Sequence, residues 1–308
     1  MDPILAGAVF WFGLAFGSFL NVCIYRIPRE VSVVRPNSSC PNCRQPIRPY
    51  DNIPVLSWLL LRGRCRDCGT RISPRYLVVE LLTALLFVGC YARFGLTLLT
   101  LKFCLFAFLI VGLVFIDAEW KLLPDALTLP GLGAGLVFSL LAPVNDILTQ
   151  MLPDWFGAHS AAAVSWRLLS LADALLGAAV GASFFYGIAM IYLHARGREG
   201  LGLGDVKLMA MVGAFLGVKL TVLTIFGASL VGSLFGLGAI LSVWIKRTRR
   251  RMIRNREPAA AARRRAWRSA RMVYRYYEMP FGVFLGAMAM VALFFGNALL
   301  RWYWGQPL

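Results

Sequence analysis

Apolar stretches of roughly 17–25 residues, each long enough to cross a bilayer as a helix, recur along the whole chain, and this limits the fold more than any other feature. Eight spans are read, at 4–24, 77–94, 97–116, 124–143, 171–193, 205–218, 220–245 and 278–302. The expected fold is therefore an all-α polytopic membrane protein whose core is a helix bundle in lipid. Composition agrees: 15% of residues are charged, against about 25% in a soluble domain. The sixth span is short and Gly-rich. Joined to the seventh as one broken helix, it would give seven spans and move the C-terminus to the other side. The first span, Ile4 to Ile24, has only Asp2 before it, while Arg26 and Arg29 follow it. Lacking a basic leading region, it reads as a retained helix, not a cleaved leader.

The net charge of +17 is concentrated in a few loops. With eight spans, residues 25–76, 117–123, 194–207 and 246–277 share one side and hold 27 of the 32 Lys and Arg. The other five are Arg93, Lys102, Arg167, Lys219 and Arg301. Positive charge collects on cytoplasmic loops, so that side is expected to face the cytoplasm and both termini the periplasm of a Gram-negative cell. The expected divisions are a first helix (1–24), a cytoplasmic metal-binding domain (25–76), a transmembrane core (77–245), a basic cytoplasmic loop (246–277) and a last helix with the C-terminus (278–308). The basic loop reads as a topology anchor touching anionic headgroups, or as a docking site for an acidic partner. Nucleic acid is not an expected partner.

Of seven cysteines, Cys23, Cys90 and Cys104 lie in or beside apolar spans and read as small buried hydrophobes. The other four form Cys40-Pro-Asn-Cys43 and Cys65-Arg-Asp-Cys68. Two such pairs at this separation approach zinc-ribbon spacing, with four thiolates at the corners of a tetrahedron around Zn²⁺. Gly69 follows the second pair, where a tight turn needs positive φ. Cytoplasmic thiols stay reduced, so disulfides are the weaker alternative. With all four positions filled by protein, the metal is structural. It replaces the core that a Pro-rich segment of about 50 residues cannot build.

Ionisable groups at membrane depth are costly and are functional candidates by default. Asp117 ends the third span in Phe-Ile-Asp-Ala-Glu, and Asp205 starts the sixth in Gly-Leu-Gly-Leu-Gly-Asp-Val-Lys. Both fall at cytoplasmic helix ends, so they can meet at one depth. Two carboxylates in contact share a proton. The ionised member can draw a proton from water attacking a peptide carbonyl, while the protonated member hydrogen-bonds the carbonyl oxygen. The glycines before Asp205 allow close approach of backbone or substrate. As a structural alternative, Asp117 caps the following segment and Asp205 N-caps its helix. His159, in an outside loop, and His194, at a helix end, lack the HExxH setting of a metalloprotease.

Several segments together resemble the bacterial type IV prepilin peptidase family, the leader peptidase and N-methyltransferase group of GxGD membrane aspartyl proteases. They are Gly17-Ser-Phe-Leu-Asn-Val-Cys-Ile-Tyr-Arg-Ile-Pro28; the Cys pairs with Asn52-Ile-Pro54 between them; Ile72-Ser-Pro-Arg-Tyr76 leading to Glu80; Phe115-Ile-Asp117 with Leu123-Pro-Asp-Ala-Leu-Thr-Leu-Pro130; and Gly202-Leu-Gly-Asp-Val-Lys-Leu208. They occur in the family's order and cover residues 10–130 and 195–230. The resemblance implies an enzyme that cleaves the short basic leader of type IV prepilins, or of type II secretion pseudopilins, at the cytoplasmic face of the inner membrane. It implies that the enzyme then methylates the new N-terminal residue with S-adenosylmethionine. Matching positions make Asp117 and Asp205 the catalytic pair, with Asp125 the rival first member; Pro124 and Thr128 beside Asp125 suggest a helix-start role for it instead. No glycine-rich nucleotide fingerprint marks the cofactor site. Arg26, Asn52, Arg75 and Glu80 are candidates because they lie in matching segments, although Glu80 would equally pair with Arg75. The chain departs from the family pattern in its longer loops 144–170 and 246–277 and in Leu77, where Pro is expected. The basic loop should repel a basic leader and so lie away from the entry groove. The competing readings are a membrane scaffold whose zinc knuckles recruit a cytoplasmic partner, and a transporter, which would need polar residues near the midplane.

Overall fold

The computed structural model describes residues 2–142, 166–197, 202–254, 256, 258–275 and 279–304. The outside loop with His159 lies outside the described residues, as do Gly200 and Leu201 of the glycine run. Described residues form helices α1 (Pro3–Arg26), α2 (Leu56–Leu60), α3 (Arg75–Phe94), α4 (Leu98–Trp120), α5 (Asp125–Leu141), α6 (Trp166–Arg196), α7 (Leu203–Arg254), α8 (Ala259–Arg275) and α9 (Phe281–Tyr303). Six of them, α1, α3, α4, α6, α7 and α9, are long and apolar enough to cross a membrane. The expected all-α polytopic fold is the one observed.

The count of eight depends on α5 and α7. At 17 residues, α5 is shorter than the other apolar helices. In α7, Gly217 breaks the helix at φ 74°, ψ 177°, a combination essentially restricted to glycine. Before the break, Gly213 packs on Gly177 of α6 closely enough that a Cβ would fall 2.2 Å from the backbone. After it, Leu220 lies against Gly296, Gly227 against Met288 and Gly232 against Phe281 of α9. Those α9 positions decrease in number as α7 advances, so the second leg is antiparallel to α9. Since α9 begins beside Asp117, the second leg returns to the Asp117 end. The sixth and seventh apolar segments are therefore two legs of a hairpin, as the eight-span reading requires.

The other helices fit the same frame. Gly13 of α1 packs on Ala84 of α3 and Gly17 on Glu80, and the Asn21 amide donates to the Tyr76 carbonyl at 3.0 Å. These pairs make α1 and α3 antiparallel, with the end of α1 and the start of α3 on the Asp117 side. Close approach through small residues is how helices associate where lipid supplies no hydrophobic drive. The core is lined by Leu20, Ile24, Phe106, Ile110, Leu113, Ile116, Leu208, Met211, Phe215 and Leu285, all at most 2% exposed.

Candidate active site and cysteine cluster

Asp117 sits in the last turn of α4 and is only 5% exposed. The chain leaves the helix through Lys121 in the left-handed conformation, with the Lys121 amide donating to the Asp117 carbonyl at 2.9 Å. Its side chain meets the N-terminus of α9, where the first amides have no partner inside the helix. Val283 N–H donates to Asp117 Oδ2 at 3.0 Å. A helix N-terminus is a favourable place for a carboxylate. A Cβ added to Gly282 would lie 2.9 Å from Asp117 Oδ2 and 3.2 Å from Leu123, so glycine is what lets α9 approach. Neither Gly282 nor Val283 stood out in the sequence, where they lie near the start of an ordinary apolar span.

Asp205 lies in the first turn of α7, half-buried, next to Gly204, whose neighbour Leu123 also reaches Gly282 beside the Asp117 carboxylate. A Cβ on Gly204 would fall 2.9 Å from Leu123 Cβ. Leu123 is thus the wedge between the starts of α7 and α9, and the glycines at 204 and 282 set the spacing around it. Gly204 has the close-approach role expected of the run, with Leu123 as the neighbour. A Cβ on Gly202 would meet nothing closer than 3.8 Å.

Asp125 opens α5 and is exposed. Lys207 Nζ binds both its oxygens, at 2.6 and 2.8 Å. The pair ties the first turn of α5 to the first turn of α7. His194 hydrogen-bonds the Met190 carbonyl of its own helix at 2.9 Å, a local contact.

Three of the four methyl-donor candidates bind protein groups. Arg26 donates to the Ser32 carbonyl at 2.9 Å and the Pro36 carbonyl at 2.7 Å. Arg75 pairs with Glu119, two residues beyond Asp117, and not with Glu80. Glu80 accepts from the Val55 amide at 2.7 Å and supports Val55 at φ 61°, a strained conformation for a β-branched residue. Asn52 is exposed. Three of the four thus hold protein groups in place.

The cysteines do converge. One sulfur each from Cys40, Cys43, Cys65 and Cys68 lie within 4.8 Å of one another. Each pair sits in a matching knuckle. The Arg44 amide donates to the Cys40 carbonyl at 2.9 Å and the Gly69 amide to the Cys65 carbonyl at 3.0 Å. Gly69 takes φ 68°, as expected, and Arg44 takes φ 59° at the equivalent place. The Asn42 amide donates to Cys68 Sγ at 3.7 Å, a contact that favours the thiolate that binds metal. Four converging thiols of this kind make a metal site. Below it, Arg66 forks onto Asp51 at 2.6–3.1 Å.

Comparison with known proteins places this arrangement. Residues 11–94 match the family described as "Bacterial Peptidase A24 N-terminal domain", and residues 103–237 match "Type IV leader peptidase family". A relative from Aeromonas hydrophila named "Prepilin leader peptidase/N-methyltransferase" is 35% identical over 96% of this chain and 92% of its own. Relatives of the same name from Pseudomonas aeruginosa (33%, over 94% of this chain and 90% of its own) and Myxococcus xanthus (40%, over 78% and 64%) agree. No solved structure matches the chain.

Proposed function

The chain belongs to the bacterial type IV leader peptidase family, and on that premise we propose that it cleaves the leader of type IV prepilins or type II secretion pseudopilins with Asp117 and Asp205. The observation that supports this reading is the packing of the helix ends that carry the two aspartates, 88 residues apart in sequence, around one residue, Leu123. One carboxylate takes the proton of the attacking water. The other, protonated, hydrogen-bonds the scissile carbonyl oxygen, and no side-chain nucleophile is needed. The amide of Val283 orients Asp117, and the Leu123 wedge sets the distance to Asp205. Asp125 is not needed as a dyad member: Lys207 already neutralises it, and its place at the start of α5 suits a helix-start charge.

The dyad face is the cytoplasmic face of the inner membrane, because the loops at that end hold 27 of the 32 basic residues. The four-cysteine site takes Zn²⁺ as a structural ion, and residues 25–76 form the domain it organises above the core at 77–245. The N-methyltransferase activity in the relatives' name is proposed for this chain too, with S-adenosylmethionine supplying the methyl group. No residue is assigned to that step: Arg26, Arg75 and Glu80 bind protein groups and Asn52 is exposed.

The test is product analysis. Purified protein is mixed with a candidate prepilin in membranes, with and without S-adenosylmethionine, and the new N-terminus is read by mass spectrometry. Leader loss in both samples is expected, with 14 Da added only where the donor is present, the mass of CH₂ replacing hydrogen by methyl. An intact leader in both would overturn the protease reading; loss without methylation would overturn the second activity alone.

A further inference from the structure

The basic segment after the last leg of α7 is a folded helical pair. α7 leaves the apolar region without interruption and continues to Arg254, and α8 packs back against it. Ala262, Ala266 and Ala270, spaced four apart on one face of α8, are at most 2% exposed and meet α7. Trp244 Nε1 donates to the Arg263 carbonyl at 3.1 Å, Trp244 and Trp267 stack edge to face at 6.0 Å, and Arg247 bonds Ser269. With the alanine face buried, Arg263, Arg264, Arg268 and Arg271 point outward. On one face of α7, Lys246, Arg249, Arg250, Ile253 and Arg254 line a cleft of about 350 Å³. None of its four basic residues has a salt-bridge partner among the described residues.

We propose that this cleft and the arginine face of α8 bind the phosphodiester headgroups of anionic phospholipids in the host bilayer. Position is the first argument. Lys246 follows directly on the apolar leg that ends at Ile245, and one helical turn rises about 5.4 Å, so Lys246 to Arg250 fall within the headgroup layer. Chemistry is the second. Ile253, Trp267 and Met272 are 69%, 47% and 66% exposed among the arginines, and apolar and aromatic side chains interleaved with basic ones suit the boundary between headgroups and acyl chains. A nucleic acid or an acidic protein would satisfy the charge but leave those side chains in water.

The full-length protein is placed in phosphatidylcholine nanodiscs with trace spin-labelled phosphatidylglycerol or spin-labelled phosphatidylcholine, and the immobilised lipid fraction is read by electron paramagnetic resonance. The wild type should prefer phosphatidylglycerol by about fivefold or more, given the attraction of each basic residue near an anionic surface. That preference should fall in about 0.5 M salt. K246Q/R249Q/R250Q/R254Q should bring it near parity, while R249K/R250K/R254K keeps it. Equal preference in the wild type and the glutamine variant would overturn the proposal. Insensitivity of the wild-type preference to salt would do the same even if the glutamine variant failed to insert. Binding of duplex DNA or polyglutamate that the glutamine changes abolish, with lipid preference untouched, would reassign the surface. Leader cleavage in detergent does not depend on these residues, so the outcome is independent of the dyad.

Discussion

Gly282 has room for a hydrogen and nothing larger, because a methyl there would press on the carboxylate of Asp117 at 2.9 Å. Gly282→Ala should therefore leave the protein in the membrane but lower kcat/KM for leader cleavage by roughly 10- to 100-fold, the scale of a misplacement of about 1 Å at a reacting group. Wild-type cleavage in that variant would mean that Asp117 does not work from this position. The Lys207–Asp125 pair behaves differently. Its side chains are 35% and 55% exposed, and such pairs are worth about 0–1 kcal/mol. Lys207→Gln should shift the unfolding midpoint little. Asp117 and Asp205 stood out as candidates in sequence because an acid at a span's end is costly. Gly282, Val283 and Leu123 did not, because their roles arise only when α4, α7 and α9 meet.

At the scale of elements, the two knuckles are copies with one difference: Arg44 holds the left-handed position that Gly69 fills in the other. Their spacing alone announced the metal site. Cys40→Ser or Cys65→Ser should remove most of the bound metal, measured as zinc per chain by mass spectrometry, and make residues 25–76 more sensitive to limited proteolysis. Retention of one zinc per chain would contradict a four-thiolate site. The hairpin in α7 was legible only in part. Gly217 was one glycine among several in a Gly-rich stretch, and its singular backbone follows from the packing of both legs on α6 and α9. Gly217→Ala should cost about 1–3 kcal/mol, seen as a lower midpoint in thermal unfolding in detergent. An unchanged midpoint would mean that the turn tolerates a side chain. Nor did the sequence suggest that residues 246–277 build a helical pair. The alanines at 262, 266 and 270 lie on one helical face, but their partner on α7 is set by the tertiary fold.

Across the whole molecule, the Asp117 end collects Asp205, the cysteine cluster and most of the positive charge, while α1 begins and α9 ends at the opposite end. Charge counting alone conveyed that polarity, because loop basicity is a property of composition and needs no packing. An alkaline phosphatase fusion after Trp304 should be active, as the enzyme works only when exported, and a fusion after Arg256 inactive. The reverse pattern would turn the molecule over and place the dyad outside. The most direct measurement is leader cleavage of a prepilin in membranes carrying Asp117→Asn, Asp205→Asn or Asp125→Asn at equal protein levels. The first two should lose cleavage and the third should retain most of it. Full activity in the Asp117 variant, with loss in the Asp125 variant, would contradict the pairing of Asp117 with Asp205.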